Sequence, residues 1–185
     1  LGTGWAVPDK VVTNQDLTRL VDTNDAWIVE RTGIRERRVA EDMPVSELAY
    51  RAAKMALDDA GTAPEELDLI IVATLTPDRV IPSTACVLQD RLGATRAAAF
   101  DLSAACSGFA YASTVAGQFI SNGMYRKVLV IGAETLSKVV DWTDRNTCIL
   151  FGDGAGAAVY GPVEDGYGLL SFDLGSYGSG ADVLD

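Results

Sequence analysis

Apolar strand-like segments alternate with helical segments through the middle of this chain, and the alternation narrows the folds that it can adopt. Residues 68–75 are a run of mainly Ile, Leu and Val, typical of a strand covered on both faces. Further strands are predicted over residues 97–102 and 127–133, with helices over residues 83–92 and 106–121. Because such alternation is typical of right-handed helical crossovers, we predict an α/β fold with a mostly parallel sheet flanked by helices.

Capping residues and glycines predict where other helices begin and end. Residues suited to a helix N-cap occur near Thr13 and near Asn24, and the second of these helices should end at Gly33. The clearest helix covers residues 46–60 and should end at Gly61. Its apolar face is predicted to consist of Leu48, Ala52, Met55, Ala56 and Leu57.

The pattern changes after residue 147, where short strand-like segments are separated by glycines. Strands are predicted over residues 148–151, 157–160 and 167–174, which gives the sheet a β-hairpin-like C-terminal end. Residues 152–157 satisfy the dinucleotide-binding pattern G-x-G-x-x-A, but the β-prone residues that follow cannot supply the helix which that motif requires. A tight glycine bend is the preferred interpretation.

Charge and cysteine content exclude several classes of protein. The net charge of −11, from 15 basic and 26 acidic side chains, argues against nonspecific nucleic-acid binding. The apolar runs are far shorter than the roughly 20 residues of a membrane span, so no membrane partner is expected. The three cysteines suit neither a closed disulfide set nor a metal cluster, and a cytoplasmic location follows. Cys86 and Cys148 are expected to pack in the core.

Cys106 stands where the strand-like segment gives way to a helix of small residues. A thiol at a helix start lies near free backbone N–H groups and the positive end of the helix dipole, which favour the nucleophilic thiolate. A sharp turn from strand to helix is also a known way of presenting a nucleophile. The alternative is that Cys106 is simply a small buried apolar residue.

Three separated motifs carry a resemblance to a known family. They are residues 25–38 (DAWIVERTGIRERR), the turn at residues 104–109 (AACSGF), and residues 144–146 (DRN) followed by 151–157 (FGDGAGA). In this order and spacing the chain resembles β-ketoacyl-acyl-carrier-protein synthase III, a thiolase-like condensing enzyme. The resemblance implies that residues 1–185 form the N-terminal, nucleophile-bearing half of a layered fold with two pseudo-symmetric halves, the C-terminal half being absent.

The resemblance also implies a reaction. Family members condense an acyl-CoA primer, here expected to be acetyl-CoA, with malonyl-acyl carrier protein, which loses carbon dioxide in a Claisen condensation that initiates fatty acid biosynthesis. They work as homodimers, through an acyl-cysteine intermediate and without a permanently bound cofactor. Their mechanism needs a histidine and an asparagine as well. This chain has no histidine, and its asparagines lie outside the motif that the resemblance implies, so both groups are expected beyond Asp185.

Site residues are carried over by position within the matching motifs. Cys106 corresponds to the catalytic cysteine, and Trp27, Arg31 and Arg145 correspond to residues that bind coenzyme A. Ile81 and Phe109 are expected to line the acyl pocket, Ile81 by reaching across a dimer, with packing in the core as the alternative for Ile81. Asn146 departs from an expected glycine. Without the resemblance, the arginines of residues 31–38 would be interpreted as a solvated face paired with neighbouring glutamates.

Two other functions stay open at this point. An acyltransferase of secondary metabolism would use the same cysteine on the same fold but pass the acyl group to another acceptor. A non-catalytic dimerisation half would have an unreactive Cys106. The sequence does not give the length or branching of the acyl primer, nor the surface that docks acyl carrier protein.

Overall fold

The structure is a computed structural model that describes residues 1–164 and 166–183. Its strands are β1 Gly2–Ala6, β2 Val11–Thr13, β3 Glu36–Arg38, β4 Leu69–Ala73, β5 Ala98–Leu102, β6 Val128–Thr135 and β7 Asp153–Tyr160. Its α-helices are α1 Asn14–Leu17, α2 Asp25–Thr32, α3 Val45–Ala60, α4 Thr84–Leu92 and α5 Gly108–Ser121. Short 3-10 helices cover Pro64–Glu66, Ala105–Ser107, Leu136–Lys138 and Gly178–Val183.

The main sheet has the strand order β1-β7-β6-β4-β5. Strand β4 pairs in parallel with both β5 and β6, whereas β7 pairs antiparallel with β6 and with β1. Four of the five strands in this sheet therefore run in one direction and only β7 opposes them. The predicted α/β fold with a mostly parallel, helix-flanked sheet is confirmed. Strands β2 and β3 form a separate antiparallel pair.

Helices cover both faces of this sheet and bury an apolar layer on each side. On one face α3 and α4 enclose a cluster that includes Leu48, Ile70 and Leu129. On the other face α5 packs over Ile71 and Val130. All five residues of β4 are buried, as expected for a strand covered on both sides.

Helix ends follow the local signals in the sequence. Helices α2, α3 and α4 end at Gly33, Gly61 and Gly93, each with a left-handed backbone conformation that glycine adopts without a steric penalty. Asn24 and Ser83 cap α2 and α4 by accepting hydrogen bonds from backbone N–H groups in the first turn. These predicted boundaries are confirmed to within one residue.

Several predicted features near the C-terminal end are wrong. Residues 148–150 form a turn and residue 151 lies in no regular element, although Cys148 and Ile149 are buried in a third apolar cluster with Leu17 and Ile28. The expected glycine bend at residues 152–157 is instead mostly extended strand. These residues belong largely to β7, where small side chains let the backbone run between the neighbouring strands β1 and β6. Residues 167–174 are not a strand. Within the described residues, no helix is long and apolar enough to cross a membrane.

Strand β1 packs unusually close to α3. A Cβ atom placed on Gly4 would lie 2.2 Å from the Ala52 carbonyl oxygen and 2.4 Å from the Ala56 nitrogen. Gly2 is equally constrained, because its Cβ would lie 2.3 Å from the Ala60 nitrogen. Only glycine permits this approach of strand to helix.

Candidate functional site

An open cavity of about 240 Å³ lies at the carboxyl ends of β4 and β6. Ligand sites in open α/β sheets commonly occupy this edge. Strands β4, β6 and β7 supply most of the small residues of its wall, the turn before α5 supplies Cys106, and the first turn of α5 supplies Phe109. The lining residues are Ala73, Ala105, Cys106, Phe109, Gly132, Ala133, Glu134, Gly154, Ala155 and Gly156.

The backbone around Cys106 presents its thiol to this cavity. Cys106 lies in the 3-10 turn Ala105–Ser107, and α5 begins two residues later at Gly108. Ala105 has a φ of 46°, a left-handed conformation that costs a non-glycine residue about 1–2 kcal/mol. The Cys106 side chain is exposed rather than enclosed in the core. Its position is therefore open to a thioester and adjacent to a helix N-terminus.

Close packing holds the start of α5 against the sheet. A Cβ atom on Gly108 would lie 3.1 Å from the Cβ atom of Ala73, at the end of β4. A Cβ atom on Gly132 would lie 3.4 Å from the Phe109 ring, so Phe109 rests on the glycine of β6. Phe109 is 39% exposed and forms the one bulky apolar side of the cavity in the described part of the chain.

Glu134, which lines the cavity, and Asp153, the first residue of β7, each hold nearby backbone in place. The Glu134 carboxylate accepts hydrogen bonds from the Leu75 N–H at 2.7 Å and the Thr76 hydroxyl at 2.6 Å, which orders the loop after β4. Asp153 is buried and accepts from the Ala40 N–H, the Ser137 N–H and the Ser137 hydroxyl. The aspartate of the glycine-rich motif is thus a structural anchor for β7, and the motif continues as this strand rather than as the helix that would bind a pyrophosphate.

Trp27, Arg31 and Arg145 form a second cluster. The guanidinium carbon of Arg31 lies 4.3 Å from the Trp27 ring centroid, and that of Arg145 lies 4.0 Å from it. Trp27 and Arg31 are one turn apart on α2, whereas Arg145 comes from the segment between β6 and β7. The structure therefore brings together the three residues expected at the nucleotide end of coenzyme A, in contact distances typical of cation–π pairs.

Ile81 lies apart from the cavity of this chain. It belongs to the loop between β4 and α4, and 85% of its surface is exposed, with Val80 beside it at 86%. The two residues expected in the acyl pocket are thus separated, because Phe109 lines the cavity and Ile81 projects into solvent.

Residues 31–38 do not form a uniformly solvated cationic face. Arg31, Arg35 and Arg38 make exposed ion pairs with nearby carboxylates, as that alternative expected. Arg37 does not, since it is only 5% exposed and burial lowers its pKa from the usual value. Sequence reasoning missed this residue because an arginine within a charged run gives no local sign of burial.

Cys86 and Cys148 differ in exposure, although both were expected in the core. Cys148 is buried as expected, and burial raises the pKa of its thiol. Cys86 is exposed, because it faces outward one turn into α4 near the edge strand β5. The apolar face predicted for α3 is likewise wrong at Met55, which is 44% exposed.

Alkylation of the folded protein should discriminate among the three thiols. We expect iodoacetamide to modify Cys148 on the order of 100-fold more slowly than Cys106, because a buried thiol with a raised pKa has little accessible thiolate. Peptide mass spectrometry at intervals measures the three rates separately. In urea the rates should converge, and equal rates in the folded state would contradict the burial of Cys148.

The chain is similar to known proteins along its whole length. Residues 100–178 match the sequence profile of the family described as 3-oxoacyl-[acyl-carrier-protein] synthase III. All 185 residues align at 63% identity with β-ketoacyl-[acyl-carrier-protein] synthase III of Desulfitobacterium hafniense, covering 56% of that protein.

Solved structures agree with this match. The synthase III structure from Thermus thermophilus superposes with a TM-score of 0.94 at 50% identity, covering 98% of this chain and 57% of that one. The structure from Aquifex aeolicus has a TM-score of 0.87 at 57% identity, covering 89% and 53%. The chain thus spans little more than half the length of these relatives, and the thiolase-like resemblance inferred from its motifs is confirmed.

Proposed function

Because this chain matches β-ketoacyl-acyl-carrier-protein synthase III in sequence and fold over its whole length, we propose that it supplies the nucleophile-bearing part of such an enzyme. The reaction is the decarboxylating condensation of an acyl-CoA primer, most simply acetyl-CoA, with malonyl-acyl carrier protein. The observation that carries the proposal is the exposed Cys106 thiol on an open cavity at the start of α5.

In the first half-reaction, the Cys106 thiolate attacks the thioester carbonyl carbon of acyl-CoA. A new carbon–sulfur bond forms, and the thiolate of coenzyme A departs and takes up a proton. A thiolate suits this step because it is a strong nucleophile near neutral pH. Backbone N–H groups at the start of the helix are the natural donors to the oxyanion that develops on the carbonyl.

In the second half-reaction, malonyl-acyl carrier protein loses carbon dioxide. The electron pair of the broken carbon–carbon bond then attacks the acyl carbonyl on Cys106, and the sulfur leaves as a thiolate. In the proposal, the histidine and asparagine expected to assist this step lie outside these 185 residues, because the sequence has no histidine and its asparagines lie outside the expected motif.

Substrate binding is divided between the two clusters. Trp27 and Arg145 offer flat faces on which an adenine ring stacks, and Arg31 offers a fork of N–H donors to a phosphate. Phe109 shapes the acyl end of the site. We further propose that the exposed Ile81 closes the acyl pocket of a second copy in a homodimer, and that the protein works in the reducing cytoplasm.

Labelling tests the proposed function directly. The full-length protein is incubated with acetyl-CoA labelled in the acetyl group, digested, and searched by mass spectrometry for acetylated cysteine. We expect the label on the Cys106 peptide and its discharge when malonyl-acyl carrier protein is added, with release of one carbon dioxide per acetyl group. Label without carbon dioxide release would favour the simple acyltransferase. Absence of label would favour a non-catalytic dimerisation half.

A further inference from the structure

Helix α2 and the segment that carries Arg145 are distant in sequence but meet at the Trp27 cluster. The buried Arg37 side chain hydrogen-bonds directly to that segment and, through Asn14, to α2. The Nη2 atom of Arg37 donates to the Ile149 carbonyl at 3.2 Å, in the segment that also carries Arg145. The same atom donates to the Asn14 side-chain oxygen at 2.9 Å. Arg37 lies on β3 and so joins elements that the local sequence alone would not hold together.

Asn14 extends this connection to both ends of α2. Its side-chain nitrogen donates to the Asp25 carboxylate at 2.8 Å, at the first residue of α2. It also donates to the Ile34 carbonyl at 2.8 Å, directly after the glycine that ends the helix. Asn14 is 1% exposed, so these bonds are shielded from water.

A buried guanidinium is a costly way to stabilise a fold, since an apolar side chain would fill the space without desolvating a charge. Arg37 forms no ion pair in the described part of the chain, and its Nε atom has no hydrogen-bond partner there. Its distinct capability is a rigid fork of donors that reaches acceptors on several elements at once. Its third acceptor is the Val12 carbonyl, at 3.2 Å.

We propose that Arg37 is a positioning residue for the nucleotide end of acyl-CoA, an inference that rests on the proposed function. Arg37 holds α2 and the segment of Arg145 at the separation that stacks Arg145 on Trp27. The shared apolar cluster beneath them contains Ile28 and Ile149, whose apolar contacts are not directional. Arg37 itself is buried and need not touch the substrate.

Two thioesters with the same acetyl group distinguish positioning from a general structural role. Acetyl-CoA carries the adenine nucleotide, whereas acetyl-N-acetylcysteamine carries only the end of the pantetheine arm. In the full-length Arg37→Met variant, we expect the rate constant for acylation of Cys106 at low acetyl-CoA to fall at least about tenfold. The rate with acetyl-N-acetylcysteamine should change less than about twofold, because that donor makes no contact at Trp27.

Arg38→Met is the matched control. Arg38 is the next residue on β3, and its longest-range hydrogen bonds go to the Pro8 and Asp9 carbonyls rather than to α2 or the segment of Arg145. We expect its rates with both thioesters to match those of the unmodified protein. Should Arg37→Met fail to fold, Asn14→Ala carries the same test from the other end of the network, and Arg37→Lys should restore only part of the loss.

The outcomes separate the two proposals. A loss confined to acetyl-CoA supports positioning by Arg37. An equal loss with both thioesters, or no loss with either in a folded variant, overturns it while leaving acylation of Cys106 intact in the unmodified protein. If neither thioester acylates the unmodified protein, the proposed function fails and the role of Arg37 fails with it.

Discussion

Replacing Cys106 with alanine is expected to abolish acyl transfer, with a fall of at least about 10³-fold in the rate of acyl-CoA consumption. The cavity beside α5 offers no other nucleophilic thiol among its lining residues, so the covalent intermediate cannot form elsewhere in this pocket. Cys106→Ser should retain little activity, because a serine hydroxyl has far less nucleophilic anion near neutral pH than a cysteine thiol. Release of free coenzyme A from acetyl-CoA measures the effect.

Cys86→Ala is the matched control for this experiment. Cys86 is also exposed, but it lies on α4 and does not line the cavity. We expect Cys86→Ala to release coenzyme A at the unmodified rate. Equal loss in both variants would point to a general need for thiols, and full activity of Cys106→Ala would overturn the assignment of the nucleophile.

Gly4→Ala is expected to lower the free energy of unfolding by about 3 kcal/mol, at the upper end of the usual cost of overpacking. Its new Cβ atom would lie 2.2 Å from the Ala52 carbonyl oxygen and 2.4 Å from the Ala56 nitrogen. Both are backbone atoms of α3, which no rotamer change can move. The strand or the helix must therefore shift. Urea unfolding of the full-length protein, followed by circular dichroism, measures the change.

Gly156→Ala gives the control for this second prediction. Gly156 lies in β7 directly opposite Trp5 of β1, yet a Cβ atom there has no heavy atom within 4 Å beyond its chain neighbours. Its effect on the free energy of unfolding should stay within about 0.5 kcal/mol. Similar midpoints and slopes for the Gly4 and Gly156 variants would contradict the close packing of β1 on α3.

Much of the fold was predictable because its signals are local. The Ile, Leu and Val content of β4 indicates burial on both faces. Gly61 indicates the end of α3, and this signal needs only the residues next to it in sequence. Residues 148–151 were not predictable in the same way. An apolar run indicates burial but not conformation, and here Cys148 and Ile149 reach the core from turns.

Only the parts of the candidate site that lie in recognisable sequence motifs could be predicted. The turn at Cys106 gave a chemical reason for proposing it as the nucleophile, but the pairing of Trp27 with Arg145 depended on the family resemblance, since 118 positions separate them. Neither the local sequence nor the family resemblance indicated that Arg37 is buried. Its guanidinium meets the Ile149 carbonyl, 112 positions away, and no short window of sequence contains such a tertiary contact.

The cavity wall built from β6 and β7 limits which residues can change the size of the cavity. That wall is glycine and alanine backbone, apart from Glu134, so its contour is set by the sheet itself and leaves little to vary. The aromatic ring of Phe109 is the adjustable part. Under the proposed function, exchanging that ring for a larger or smaller group would change which primers fit, provided that the new side chain still packs on Gly132.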